Sequence, residues 1–189
     1  MTGQALLDRL LAGEPLELAT AERTRELGVL LGGVLRAGDL VLLTGDLAAG
    51  KTTLTQGIGE GLGVRGPITS PTFVIAREHP TLSDGPGLVH VDAYRLGGLA
   101  ELDDLDLDAE LEEVVTVVEW GHGVAEGLAE NRLEIVLSRD SGTDADGPDI
   151  ADDDHSDAIG EADPDLEEGD QPRVVRVLAH GPRWAAAQW

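Results

Sequence analysis

Two continuous apolar runs, Leu40-Val41-Leu42-Leu43 and Val114-Val115-Thr116-Val117-Val118, contrast with a chain whose other apolar positions are spaced or alternating. Runs without polar interruption suit central parallel strands covered on both faces, so each predicts a buried strand. The second is rich in β-branched residues and extends through Glu119 to Trp120, carrying its carboxylate only at the end. Leu16-Glu17-Leu18-Ala19 reads as a short strand. Thr20 follows as a helix N-cap with Glu22 in the first turn. Leu27, Leu30, Leu31, Val34 and Leu35 then recur at helical spacing, with Gly38 as the stop. Beyond Lys51, Leu54, Ile58 and Leu62 line one face of a second helix, ended by Gly61 and Gly63.

Ser70-Pro71-Thr72-Phe73 leads into Val74-Ile75-Ala76, where the proline forces Ser70 to be extended and a strand is predicted to follow. A Gly/Pro loop from Ser83 to Gly87 separates it from a strand over Leu88 to Asp92, and the two strands predict a hairpin. Leucines at 99, 102, 105, 107 and 111 in an acidic stretch predict one or two short helices. Arg132 to Leu137 and Arg173 to Leu178 alternate polar and apolar residues, which predicts a neighbouring pair of strands. Strands alternating with helices around a parallel centre indicate an α/β protein with a mostly parallel central sheet.

The segment that joins the first buried strand to the second helix is Gly45-Asp46-Leu47-Ala48-Ala49-Gly50-Lys51-Thr52, which fits the pattern G-x-x-x-x-G-K-[ST], so the expected α/β fold is a P-loop NTPase-like three-layer fold with a mostly parallel central sheet. Glycines let successive backbone N–H groups curl around a phosphate, and the helix that follows presents free N–H groups and its positive dipole end. Lys51 reaches the outer phosphates as a point charge, and the Thr52 hydroxyl, with Thr53 beside it, stands where a bridging magnesium ion is ligated. Lys51 is also the only lysine in the chain, every other basic position of this kind being arginine. A planar guanidinium does not fill the same cradle, so the retained lysine is itself a chemical argument. The competing reading is a glycine turn that opens an ordinary helix.

Composition narrows the function classes. At 189 residues with 41% hydrophobic content, one domain over residues 1–189 with a real core is expected. Met1 to Leu11 lack a basic start and no stretch has the apolar length of a membrane span, so a cytoplasmic protein without a membrane role is expected. The absence of cysteine excludes disulfides, thiol chemistry and cysteine-bound metals. A formal net charge of −24 argues against a free-standing binder of DNA or RNA. Fourteen of the acidic residues fall within Asp140 to Asp170, a stretch without Lys or Arg; outside it the net charge is −10. Such a segment buries too little apolar surface to offset its ordering entropy, and reads as a disordered acidic insertion over 140–170.

Glu119 ends a buried strand where P-loop proteins hold the magnesium shell, and it is the candidate catalytic and metal-linked carboxylate; the competing reading is a strand-end surface acid. Asp92 ends another strand on the same side and is the second catalytic candidate. By alternation His90 faces the same side as Asp92 and supports that carboxylate, unless it is a core histidine.

The combination GDLAAGKTT at 45–53, SPTF at 70–73, HVDAYRL at 90–96 and VVEWG at 117–121 resembles the TsaE family, also called YjeE. The likeness runs from about residue 16 to 139, with Arg183-Trp184 resembling the family's tail, and the chain's only Phe and only Tyr, Phe73 and Tyr94, fall inside the motifs. The resemblance implies a small bacterial ATPase required for threonylcarbamoylation of adenosine 37 in tRNAs that read ANN codons. It further implies partnership with TsaD and its paralogue TsaB, with tRNA engaged only through that complex. On this likeness Lys51 binds phosphate, Thr52 and Glu119 serve Mg2+, Ser70, Pro71, Thr72 and Phe73 form a switch-like segment, Trp120 sits beside the ATP, and Asp92 matches the family's essential aspartate. Ala48 departs from the family's usual glycine; an alanine in a right-handed conformation is expected there. The acidic insertion is a second departure.

The chief alternative is a P-loop kinase for a small molecule or nucleoside, for which Arg95 is the lid candidate. A signalling GTPase is disfavoured because the guanine-reading N-K-x-D cannot be formed: the sole asparagine, Asn131, precedes Arg132-Leu133-Glu134. A non-enzymatic nucleotide-binding module is the third class.

Overall fold

Uninterrupted apolar runs become the centre of the sheet. The computed structural model describes residues 2–71, 75–94, 111–139 and 171–185. In chain order its elements are α1 (Gly3–Leu11), β1 (Leu16–Leu18), α2 (Ala21–Gly32), β2 (Leu40–Thr44), α3 (Lys51–Leu62), β3 (Ala76–His79), β4 (Gly87–Asp92), β5 (Val114–Glu119), β6 (Arg132–Arg139), β7 (Arg173–His180) and α4 (Pro182–Ala185). Seven strands form one sheet in the order β1-β7-β6-β2-β5-β4-β3. The central pairs β4–β5, β5–β2 and β2–β6 are parallel, and the edge pairs β3–β4, β6–β7 and β7–β1 are antiparallel. The expected α/β fold with a parallel centre is what forms, including the β3–β4 hairpin and the β6–β7 neighbours.

Alternation divides the buried residues between two faces. Val41, Leu43, Leu88, Val115, Val117, Leu133, Ile135, Leu137, Val175 and Val177 pack with α1, α2 and α3 in the larger core. Leu40, Leu42, Val89, Val91 and Val118 face the other way, where Leu111, Val124, Ala125 and Leu128 cover them. Each fully buried leucine or valine contributes roughly 1.5–3 kcal/mol relative to exposure, so the face under the helices dominates the folding energy.

Several boundaries differ from the sequence reading. The helix over Gly3–Leu11, N-capped by the Thr2 hydroxyl, was not anticipated; its Leu7, Leu10 and Leu11 join the larger core. α2 stops at Gly32 rather than at Gly38, because Val34 and Leu35 fold back in turns whose N–H groups both bond to Leu31 O. β3 begins at Ala76, since Ile75 adopts φ 68° and its N–H closes a turn on Pro71 O. β5 ends at Glu119, and Trp120, with φ 61°, turns the chain out of the sheet. Thr72, Phe73, Val74, Arg95, the leucines at 99–107 and the acidic segment 140–170 lie outside the described residues. No helix among the described residues is long and apolar enough to cross a membrane.

Gly61, expected to help end α3, instead lies inside it. It belongs to a glycine seam: Gly28 and Gly32 on α2 meet Gly57 and Gly61 on α3 so closely that a Cβ on any of them would strike backbone of the other helix. At Gly57 that Cβ would run into the Arg25 carbonyl and come 2.9 Å from Gly28 Cα. The seam fixes the height of α3 above the sheet, and with it the position of Lys51 and Thr52 at its first turn.

C-terminally, Arg183 Nε donates to both carboxylate oxygens of Asp39 at 2.7 and 3.0 Å, and its Nη2 donates to Val34 O at 2.6 Å. Asp39 is buried just before β2, so this pairing ties α4 to the start of the central strand. A test of the seam compares two substitutions by urea denaturation. Gly57→Ala is expected to lose about 1–3 kcal/mol by overpacking, although alanine is the better helix former. Gly33→Ala, at φ −69° with room for a Cβ, is expected to gain about 0.4–1 kcal/mol.

Candidate functional site

The sequence places two carboxylates and a histidine in inward rows of adjacent parallel strands. In β4, His90 and Asp92 share the face of Leu88, and in β5, Glu119 shares the face of Val115 and Val117. Asp92 and Glu119 are register partners. This face lies beneath the start of α3, so the polar ends of two apolar strands meet the first turn of a helix.

The glycine loop leads β2 into that helix through three positive-φ residues. Gly45 has φ 147°, and a Cβ there would collide with the Leu137 carbonyl. Gly50, at φ 101°, is the residue before α3, where a left-handed conformation favours glycine. Ala48 has φ 59°, so the expectation of a right-handed alanine is corrected: it occupies the left-handed conformation, at a cost on the order of 1–2 kcal/mol. Leu47, at the tip, is 75% exposed, while Ala49 is buried. Asp46 O accepts the Ala49 N–H at 3.1 Å and closes the turn.

Lys51 is nearly buried. Its Nζ donates to Gly45 O at 2.7 Å and Asp46 O at 2.8 Å, and stands 3.9 Å from the centre of the Trp120 ring. Burial pushes the ammonium below the usual lysine range, while the charges of Glu119, Asp92 and Asp46 pull it back up. Tyr94 lies against Trp120, ring centres 5.3 Å apart. The left-handed Trp120 is held by its N–H on Leu43 O, which turns the indole over the loop rather than along the strand.

Thr52 Oγ1 donates to Glu119 Oε1 at 3.0 Å, across the gap between α3 and β5. His90 Nε2 donates to the same oxygen at 2.9 Å; this imidazole is wholly buried. The sequence reading assigned His90 to Asp92, but its partner is Glu119 on the adjacent strand, because the stagger of the parallel pair brings the diagonal neighbour closer. Asp92 instead accepts from Ser70 Oγ at 3.3 Å and from the Tyr94 N–H at 3.0 Å. Ser70 thus ties the start of the expected switch-like segment to the second carboxylate, with Pro71 beside it; Thr72 and Phe73 lie outside the described residues. Thr53, next on α3, lies beside Thr52 on the helix. Arg77, on β3, donates from Nη1 to Thr69 Oγ1 at 2.8 Å.

Two residues escaped the sequence reading. Arg173, buried at the head of β7, donates from Nε to Ala49 O at 3.1 Å, and Arg139, at the end of β6, donates from Nη2 to Leu47 O and Ala48 O at 3.2 and 3.0 Å. A charged residue at an inward position of an alternating strand was the signal available for both. Two open surface grooves, one lined by Arg25, Thr53, Gln56 and Glu60 and one by Leu6, Leu16 and Leu30, include none of Lys51, Thr52, Asp92 and Glu119. Chemically, the cluster combines a loop-to-helix anion seat, an ammonium, a hydroxyl paired with a carboxylate, and a second carboxylate close by.

Comparison with known proteins places this arrangement in a family. Residues 18–146 match the family model described as threonylcarbamoyl adenosine biosynthesis protein TsaE. The chain is 66% identical over 164 residues to the tRNA threonylcarbamoyladenosine biosynthesis protein TsaE of Streptomyces coelicolor, covering 86% of this chain and 95% of that one. It is 50% identical to the protein of that name from Mycobacterium tuberculosis, over 71% of this chain and 84% of the relative. The corresponding Bacillus subtilis protein is 42% identical, over 62% and 73%. The crystal structure of Bacillus subtilis YdiB superimposes with a TM-score of 0.59 at 28% identity, covering 92% of this chain and 89% of that one, in keeping with a P-loop-like fold. With the glycine loop, the paired carboxylates and the sheet order all in place, the chain belongs to the TsaE family.

Proposed function

We propose that this chain binds ATP with Mg2+ at the glycine loop, hydrolyses it slowly, and supports threonylcarbamoylation of adenosine 37 in tRNAs reading ANN codons through a TsaD–TsaB pair. The observation that carries the reading is the convergence of Lys51, Thr52 and Glu119: an ammonium and a hydroxyl-carboxylate pair at the mouth of one anion seat. Loop amides and the α3 N-terminus receive phosphate oxygens, and Lys51 transfers its hydrogen bonds from its own loop's carbonyls to them. The donor set fits magnesium, since Thr52 Oγ1 and Glu119 Oε1 are hard oxygen ligands already 3.0 Å apart. Bound there, the ion neutralises charge on the phosphate oxygens.

His90 orients the Glu119 carboxylate by bonding one oxygen. Asp92, held by Ser70 and the Tyr94 amide, is placed to orient a water molecule or complete the metal shell. Trp120 and Tyr94 form an aromatic wall beside the lysine and cover one side of the bound nucleotide. Participation in tRNA modification follows the names of the relatives. A net charge of −24 supports an indirect role in which a partner holds the RNA, in a cytoplasmic setting.

Lys51→Ala is expected to abolish tight binding of a fluorescent ATP analogue, and Lys51→Arg to impair it, because shape as well as charge matters. Glu119→Gln is expected to retain nucleotide but lose most magnesium-dependent hydrolysis; equal magnesium dependence in mutant and wild type would remove Glu119 from the role.

A second experiment addresses the partners. An arginine supplied in trans is worth about 10³–10⁵ in rate to P-loop enzymes, so the isolated chain is expected to turn over slowly and the purified TsaD–TsaB pair to accelerate it. Trp120 fluorescence is expected to change on that binding. A chain that is fast alone and indifferent to the pair favours a self-sufficient kinase or ATPase.

A further inference from the structure

The inward-facing rows of β6 and β7 both finish on arginine. Leu133, Ile135 and Leu137 are buried beneath the helices, and Arg139 is next in that row. Val177 and Val175 form the matching row of β7, and Arg173, only 2% exposed, stands at its head. The two arginines are register partners in the antiparallel ladder, at the end of the sheet that meets the glycine loop. Together they take three successive loop carbonyls: Leu47 O and Ala48 O on Arg139, and Ala49 O on Arg173. Arg173 Nη1 is fixed in turn by Gln171 O at 3.1 Å.

We propose that Arg139 and Arg173 are positioning residues, a guanidinium clamp that holds the glycine loop in its phosphate-receiving form and so sets its affinity for the phosphates of a nucleotide. The affinity claim rests on the nucleotide reading above. In a loop that turns its amides inward, the carbonyls fall on the outer side, where these guanidinium groups stand. Charge-assisted hydrogen bonds from a rigid, permanently charged fork are the stronger kind, and a lysine at either position would hold its acceptors less firmly.

The clamp also accounts for Ala48. A left-handed alanine is disfavoured by roughly 5- to 30-fold, and this one has its own carbonyl and the preceding one tied to a single guanidinium. Gly50 is adapted to the second arm, since a Cβ there would lie 3.1 Å from Arg173 Nε. Burying a cation is costly unless its hydrogen bonds are met, and a buried positive charge behind an anion seat adds to its attraction for phosphate.

Losing the clamp lets the loop leave its receptive form, and apparent affinity falls in proportion to the population lost. Arg139→Gln is the first test, because Arg139 is exposed where Arg173 is buried; Arg173→Lys is the second. Two readouts are taken on the full-length chain: hydrogen exchange of the 45–50 amides without nucleotide, and binding of a fluorescent ATP analogue with Mg2+, with Lys51→Ala as the non-binding control. Arg139→Gln is expected to speed exchange in 45–50 but not in β2, and to raise Kd about tenfold. With Ala48→Gly as background, the same substitution is expected to cost only about twofold, because glycine enters the left-handed region unaided. Exchange and Kd both within twofold of wild type would overturn the clamp, as would a penalty that is the same in the Ala48→Gly background as in the wild-type loop. A wild-type chain that binds no nucleotide would remove the functional reading and the affinity claim with it, while loop exchange still decides whether the arginines hold the loop.

Discussion

One oxygen atom joins a helix and two strands of the site. Glu119 Oε1 accepts from Thr52 on the helix and from His90 on the neighbouring strand, and the backbone carbonyl of the same residue accepts the Ala93 N–H. That node sits on a closely packed apolar row, Leu88 on β4 and Val115 and Val117 on β5, with His90 as the one polar residue that enters the row before the two terminal carboxylates. The glycine seam between α2 and α3 supplies the other half of the constraint by fixing where Thr52 arrives. A helix displaced outward by one methyl group would stretch the Thr52–Glu119 hydrogen bond, so helix packing and site chemistry are coupled through backbone contact.

Backbone strain gathers around this node. Among the described residues, the non-glycine residues with positive φ are Ala48, Ile75 and Trp120. Ala48 shapes the loop, Trp120 turns the indole over Lys51, and the Ile75 carbonyl accepts the Asp92 N–H. Each left-handed residue costs on the order of 1–2 kcal/mol and persists only where its surroundings determine it. Hydrogen bonds to all three segments supply that determination, and the rigid apolar sheet beneath absorbs the cost.

Much of this was legible in the sequence because the strongest signals are local. Uninterrupted runs announced β2 and β5, a glycine loop between strand and helix announced the turn that opens α3 at Lys51, and carboxylates closing apolar strands marked the positions of Asp92 and Glu119. What was missed depends on tertiary contact. His90 could be assigned to a face but not to a partner, since the register of two parallel strands is set by the sheet and not by either strand. Gly28, Gly32, Gly57 and Gly61 repeat at four-residue spacing on two helices, a pattern that marks close packing once the helices are known to be neighbours. Arg139 and Arg173 were hidden because alternation describes which way a residue faces, whereas their acceptors are the carbonyls of a loop far away in sequence. Ala48 was misjudged because the identity of a residue states only its preference, and two guanidinium hydrogen bonds overrule it.

The central claim, that one site joins the glycine loop to the Thr52–Glu119 pair for a metal-linked triphosphate, is tested most directly by calorimetric titration of the wild-type chain with ATP, in Mg2+ and again in a chelator. One ATP per chain, bound clearly more tightly with Mg2+ than without it, is the predicted result. Absent binding, or binding of equal strength in both conditions, would contradict the account.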